Sequence, residues 1–233
     1  MNESLSKSKR PDTYSLEMII VLAIITLHDF LLSNALSIPV ALGRIALVKL
    51  ISLDRVESSL EFIVPIVIFA AMLILWATER DVWVYRLAIV YLAWVTLRLA
   101  AKVSLVSIIL ASRPQLGVGV LLKDTIVLWI ANILLFGVWY WIIDAGGPRV
   151  RREGPAQRFD FAFPQRAVSM PGWQNWQPRI WDYVFLGFCG STQFGLADTL
   201  VLSLRAKFLL MLQAALSVTV IVFIASIAIA AMK

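Results

Sequence analysis

The sequence predicts an all-α fold, a polytopic transmembrane helical bundle with a re-entrant half-helix and a pore-loop-like break before the last span. Three observations carry this. The chain is 60% hydrophobic and only 15% charged, with a mean hydropathy of +0.83, a balance that belongs to integral membrane proteins. Residues 208–232 contain no charged side chain, and at 1.5 Å per residue they extend about 37 Å, longer than the roughly 30 Å hydrocarbon core. Before them, residues 181–190 are aromatic and apolar but reach only about 15 Å as a helix. A short helix, a compact break at residues 192–198 and a full span therefore follow one another.

Composition also narrows function. The formal charge is +6 and the isoelectric point near 9.7. In so apolar a chain this is flanking charge that sets topology and meets anionic lipid, and no nucleic-acid partner is expected. The expected environment is a lipid bilayer, a cell membrane of the bacterial inner-membrane type. Cys189 is the only cysteine and His28 the only histidine, so an intramolecular disulfide or a cysteine-built metal cluster is impossible and triad chemistry is disfavoured. H-E-x-x-H, G-x-S-x-G and a Gly-rich phosphate loop are absent from the sequence. The expectation is a protein that is not an enzyme, with no catalytic residue, cofactor or metal.

Residues 1–15 form a polar tail with Lys7, Lys9 and Arg10. The apolar run 16–36 behind it lacks a convincing small-x-small cleavage site near its end and is long enough to span, so it is read as an uncleaved first helix. His28 and Asp29 are the titratable residues of its apolar part; intramembrane charge by default raises the hypothesis of an ion or proton site, and the other reading is that both face the bundle interior or approach the far headgroups. As neighbours they point about 100° apart on a helix and share no face. Residues 39–59 mix apolar residues with Arg44, Lys49, Asp54, Arg55 and Glu57 and are expected to form an interfacial helix or loop. The second span is 61–78, with Pro65 in its first turns. The tight turn Glu79, Arg80, Asp81 returns the chain antiparallel. A third span starts near Trp83 and completes the set of transmembrane helices in 16–112. Residues 103–122 read either as its tail or as a separate hairpin.

The outer-helix-like fourth span lies within 113–144, opened by Lys123-Asp124 and running from 125 to 143. Asn132 near its middle needs a hydrogen-bond partner on another helix. Trp139, Tyr140 and Trp141 are expected at the membrane interface. The connector 145–180 holds five prolines and Arg149, Arg151, Arg152, Arg158 and Arg166, which predicts an irregular, surface-held segment. Its Phe159, Phe161, Phe163, Trp173 and Trp176 are expected to pack on the membrane surface or on the half-helix. Residues 181–233 carry that half-helix and the last span.

Within residues 182–217 the chain resembles the pore domain of potassium channels. Asp182 opens an aromatic pore helix containing Phe185 and Phe188. The family filter T-T-V-G-Y-G-D is met by Thr192, Gly195 and Asp198, while Gln193, Phe194, Leu196 and Ala197 depart from it. Ala206, Lys207, Met211, Leu212 and Gln213 stand where the inner helix commonly reads G-R and then M-L-E, and Ser217 takes the place of the hinge glycine. The resemblance implies a cation channel, a homotetramer around one axis and monovalent cations held by backbone carbonyls. Ala197 carries a Cβ that resists positive φ, and Leu196 lacks the family tyrosine's hydroxyl, so selectivity is left open. The other reading is a non-conducting membrane scaffold or regulatory protein. The stretch W-Y-W-I-I-D-A-G-G-P, residues 139–148, is similar to one in bacterial multi-pass membrane proteins and implies no activity.

The topology expectations conflict. Five spans put the two termini on opposite sides, and the arginines of the connector, with Lys7, Lys9 and Arg10, favour a cytoplasmic N-terminus and connector. A potassium-channel pore places that connector outside. A sixth span between Lys102 and Lys123, a loop entering from inside, or a pore likeness without function would each resolve this.

Overall fold

A computed structural model describes residues 13–35, 53–111, 117–153, 158–167, 172, 176–192 and 199–231. Among them the chain is an all-α bundle. The long helices are α1 (Thr13–Ala35), α2 (Leu53–Ala77), α3 (Asp81–Ala111) and α4 (Val118–Ile143). After a 3-10 turn at Asp144–Gly146 come α5 (Pro148–Glu153), β1 (Phe161–Ala162), α6 (Pro164–Ala167), α7 (Ile180–Thr192), β2 (Leu200–Val201) and α8 (Leu204–Ala231). Among the described residues three helices are long and apolar enough to cross a membrane, in α3, α4 and α8. The described apolar parts of α1 and α2, Leu16–Leu27 and Ile63–Ala77, are shorter.

Helix α2 stops at a residue in the left-handed region. Glu79 has φ 57°, its N–H donates to Trp76 O at 3.0 Å and the Arg80 N–H to Leu75 O at 2.9 Å. These paired bonds are a Schellman termination, which satisfies orphan carbonyls and reverses the chain into α3. The turn and the antiparallel return agree with the sequence reading, and α3 begins at Asp81, two residues before the expected Trp83.

Several expectations change. Residues 103–111 are the tail of α3 and 118–122 the start of α4, so the described residues between Lys102 and Lys123 form neither a separate hairpin nor a sixth span. Lys123-Asp124 sits inside α4 instead of opening it, because the helix already forms at Val118. Residues 53–59 form the first turns of α2, which leaves Pro65 well inside that helix, and the rest of the segment expected at the interface, residues 39–52, lies outside the described residues.

Helix α4 is the centre of the bundle. Two thirds of its apolar window (67%) is buried inside the chain, against 17% for α8. Phe136, Tyr140, Trp141 and Ile142 are fully buried. The expected interfacial aromatics are thus core residues, and Trp139 donates its Nε1–H to Thr96 Oγ1 on α3 at 2.8 Å. A hydroxyl on the neighbouring helix, rather than headgroups, takes up the indole's polar edge.

Candidate functional site

The connector folds back as a cap over the end of α4, and a buried carboxylate holds it. Asp144 ends α4, its own N–H returning to Tyr140 O. The next residue, Ala145, has φ 53°, followed by Gly146 at 81° and Gly147 at 109°. A left-handed alanine is unfavourable, and here its N–H is held by Asp160 Oδ2 at 3.1 Å. A Cβ on Gly147 would meet the Tyr85 ring at 3.0 Å. The two glycines therefore let the chain turn in a space that closes against α3. Fully buried Asp144 accepts the N–H of Asp160 (2.9 Å) and of Phe161 (3.3 Å) on Oδ1 and the Tyr183 hydroxyl (2.5 Å) on Oδ2.

Two arginines satisfy the last carbonyls of α4, which have no intrahelical partner. Arg151 donates to Trp141 O at 3.0 Å and Asp144 O at 2.8 Å, and Arg205 of α8 donates to Ile143 O at 3.0 Å. Arg205 also grips Asp160 with two bonds, Nε to Oδ1 at 2.7 Å and Nη2 to Oδ2 at 2.6 Å, while Ser203 bonds the same carboxylate. Such two-point pairing is the strong form of the contact. Ser203 also accepts the Ala206 N–H at 3.2 Å and so caps α8. Phe161 and Phe163 meet the Tyr183 ring edge-on at 6.2 and 5.3 Å. Phe161 and Phe163 thus pack on α7, Trp176 packs on Phe163, and Trp173 lies outside the described residues; the connector's core at Asp160 and Phe161 is buried, not surface-held.

Burial alone would raise the Asp160 carboxyl. The hydrogen bonds from Arg205 and Ser203, the Arg205 charge and the Ala145 amide outweigh it and hold the carboxyl below its ordinary value. A depressed folded value contributes stability that is fully present above the unfolded carboxylate value, about 3.9, and is lost as pH falls through the folded value. Melting temperatures are expected to fall more steeply below about pH 4 for the wild type than for Asp160→Asn. Parallel curves for the two proteins across that window would contradict this.

Beneath the cap, α7 and α8 both run antiparallel to α4. Along α7, Tyr183 meets Asp144 and Phe188 meets Trp129 (6.0 Å between rings). Along α8, Arg205 meets Ile143 and Ser217 meets Asn132. Glycines allow the α4–α7 approach. A Cβ on Gly187 would lie 2.7 Å from Ile133 O, and one on Gly137 would lie 2.8 Å from Val184 Cα. Gln213, fully buried, joins all three helices: its Nε2 donates to Gly187 O at 2.6 Å and its Oε1 accepts the Tyr140 hydroxyl. Sequence reading gave Gln213 only a place in a motif, and its role became visible once three helices met on it.

One helical turn further along α8, Asn132 Nδ2 donates to Ser217 Oγ at 2.6 Å. Both residues are buried. Ser217, expected as a hinge, is thus the interhelical partner that Asn132 requires. Among the described residues Asn132 Oδ1 has no hydrogen-bond partner. A double-mutant cycle of Asn132→Ala and Ser217→Ala is expected to give a coupling of about 0.5–2 kcal/mol in denaturation from mixed micelles. Strict additivity would show that the pair does not join the helices.

The filter-like residues are only partly in view. Thr192 ends α7, and its hydroxyl turns back to Phe188 O (3.1 Å) and Cys189 O (3.2 Å). Gln193, Phe194, Gly195, Leu196, Ala197 and Asp198 lie outside the described residues. His28 and Asp29 fall on α1, and their side chains lie outside the described residues too.

The chain returns from Thr192 to β2, which pairs with β1 as Phe161↔Val201 and Ala162↔Leu200. Both ends of this excursion are therefore fixed at the cap, while its middle lies beside Gln213 in the bundle. Fold and site define a helical membrane protein in which a half-helix enters and leaves the bundle from one end. The chain matches no protein-family model, no curated protein and no solved structure.

Proposed function

We propose that this chain is a protomer of a cation-conducting membrane pore, built from α7, the segment after it and α8 of several copies. The observation that carries the reading is α7 itself, a half-helix wedged between α4 and α8 and held from one end. A helix ending inside a membrane directs the negative end of its dipole into the interior, where it offsets the cost of a desolvated cation. The chain after such an end is tolerated only inside protein or beside water. Trp181, Phe185 and Phe188 stand out from α7 at 72%, 61% and 42% exposure, and the neighbouring protomers of a tetramer cover that face. The arginine-rich cap lies on the cytoplasmic side by the positive-inside rule, and with no sixth span the half-helix enters from the cytoplasm.

The test is the mass of the full-length protein in mild detergent and cation flux into liposomes. The expected result is an oligomer that passes potassium with weak preference over sodium. Leu196→Tyr with Ala197→Gly should raise that preference, since glycine permits backbone angles that alanine resists. A monomer that is silent before and after the double change would discard the pore and leave the scaffold reading.

A further inference from the structure

Residues 200–208 read L-V-L-S-L-R-A-K-F, and their two sides differ. Val201 pairs with Phe161, and Ser203 and Arg205 turn onto Asp160. The intervening leucines turn outward: Leu200 is 66% exposed, Leu202 52% and Leu204 84%, with Phe208 one turn on at 65%. An outward face of a two-stranded antiparallel sheet in water is ordinarily polar. Large apolar side chains at the head of a membrane-crossing helix belong at the boundary between headgroups and acyl chains.

Cations frame this corner. The Leu202 N–H donates to Asp160 O at 2.8 Å, which brings Arg158, two residues before Asp160 and exposed, to this same corner. Lys207 is exposed in the first turn of α8, its N–H bonded to Ser203 O at 3.0 Å. Arg205 keeps its side chain 54% exposed while paired with Asp160. Arg158, Arg205 and Lys207 set against Asp160 leave a local excess of two positive charges (three minus one). A free anion has no use for the leucines, and a zwitterionic lipid gains little from the charge.

The geometry points to a binding site for an anionic phospholipid. Its acyl chain lies along Leu202, Leu204 and Phe208, and its phosphate sits between Arg158 and Lys207. The site is independent of conduction, because it lies on the outer face of the β1–β2 sheet.

The experiment is native mass spectrometry of the full-length protein, purified in mild detergent with equal amounts of phosphatidylglycerol and phosphatidylcholine. Wild type is expected to retain phosphatidylglycerol preferentially, and that preference should drop as salt rises. Arg158→Gln with Lys207→Gln should cut it by about fivefold per cation removed. Leu204→Ser with Phe208→Ser should lower retention of both lipids. Equal retention by wild type, a preference indifferent to salt, or an unchanged preference in the glutamine variant overturns the proposal. Displacement of the lipid by millimolar inorganic phosphate reveals a bare anion site and overturns it as well. If the glutamine variant does not fold, the salt dependence of the wild type decides alone.

Discussion

Asp144→Ala should be the most destabilising single substitution in the cap, costing about 3–5 kcal/mol, the range for breaking a buried charged network from one side. The carboxylate accepts two backbone amides and the Tyr183 hydroxyl, and Arg151 Nη1 lies 3.9 Å from its Oδ2. Alanine leaves all of these buried donors without that acceptor, and each unsatisfied group carries its own desolvation cost. Asp144→Asn keeps one acceptor oxygen and should cost clearly less. Tyr183→Phe removes one bond and should cost about 1–3 kcal/mol. Denaturation from mixed micelles, followed by circular dichroism, measures all three. If Asp144→Ala matches wild type, the cap is not held by this residue.

Gly187→Leu should unseat α7. Overpacking typically costs about 1–3 kcal/mol and occasionally more, and this site lies at the upper end because what the new Cβ meets is backbone. Ile133 O would lie at 2.7 Å and Gly137 N at 3.2 Å, and neither can rotate away as a side-chain tip can. Displacing α7 also breaks the Gln213–Gly187 bond. Cys189, buried and two residues on, is a built-in reporter as the sole cysteine. Its maleimide labelling should be slow in wild type and fast in Gly187→Leu. Gly119→Leu is the matched control, since a Cβ there meets nothing within 4 Å. Equal labelling of the two variants would mean that close approach of α4 and α7 does not hold the half-helix.

These two predictions join the ends of one device. The cap fixes where the excursion of residues 180–203 begins and ends, and the glycine crossing fixes how closely its helix lies on α4. A pore requires both, because carbonyls positioned for an ion tolerate little displacement. A scaffold requires only the cap. Conduction lost in Gly187→Leu with the cap intact would therefore speak for the pore, given a conducting wild type.

Composition and local pattern determined the class of this protein. Uncharged runs of sufficient length specify helices in a bilayer whatever their neighbours, since no water is there to take the backbone's hydrogen bonds. The Glu79 turn, the short helix before the last span and the continuous α8 were legible for the same local reason. The need of Asn132 for a partner was legible too, but the partner was not. Ser217 lies 85 residues away, and no periodicity links two positions on different helices. Trp139, Tyr140 and Trp141 read as interfacial because aromatics at a span's end ordinarily are. Only the fold shows that the connector covers that end and turns an interface into a core. The arginines of that connector read as topology charges, yet Arg151 serves carbonyls of α4. Asp144, Asp160 and Arg205 are spread over 62 residues and become one network because the chain reverses at Ala145 and again at Ser203. A carboxylate's role is set by the donors that tertiary structure brings to it, and a sequence records the carboxylate without them.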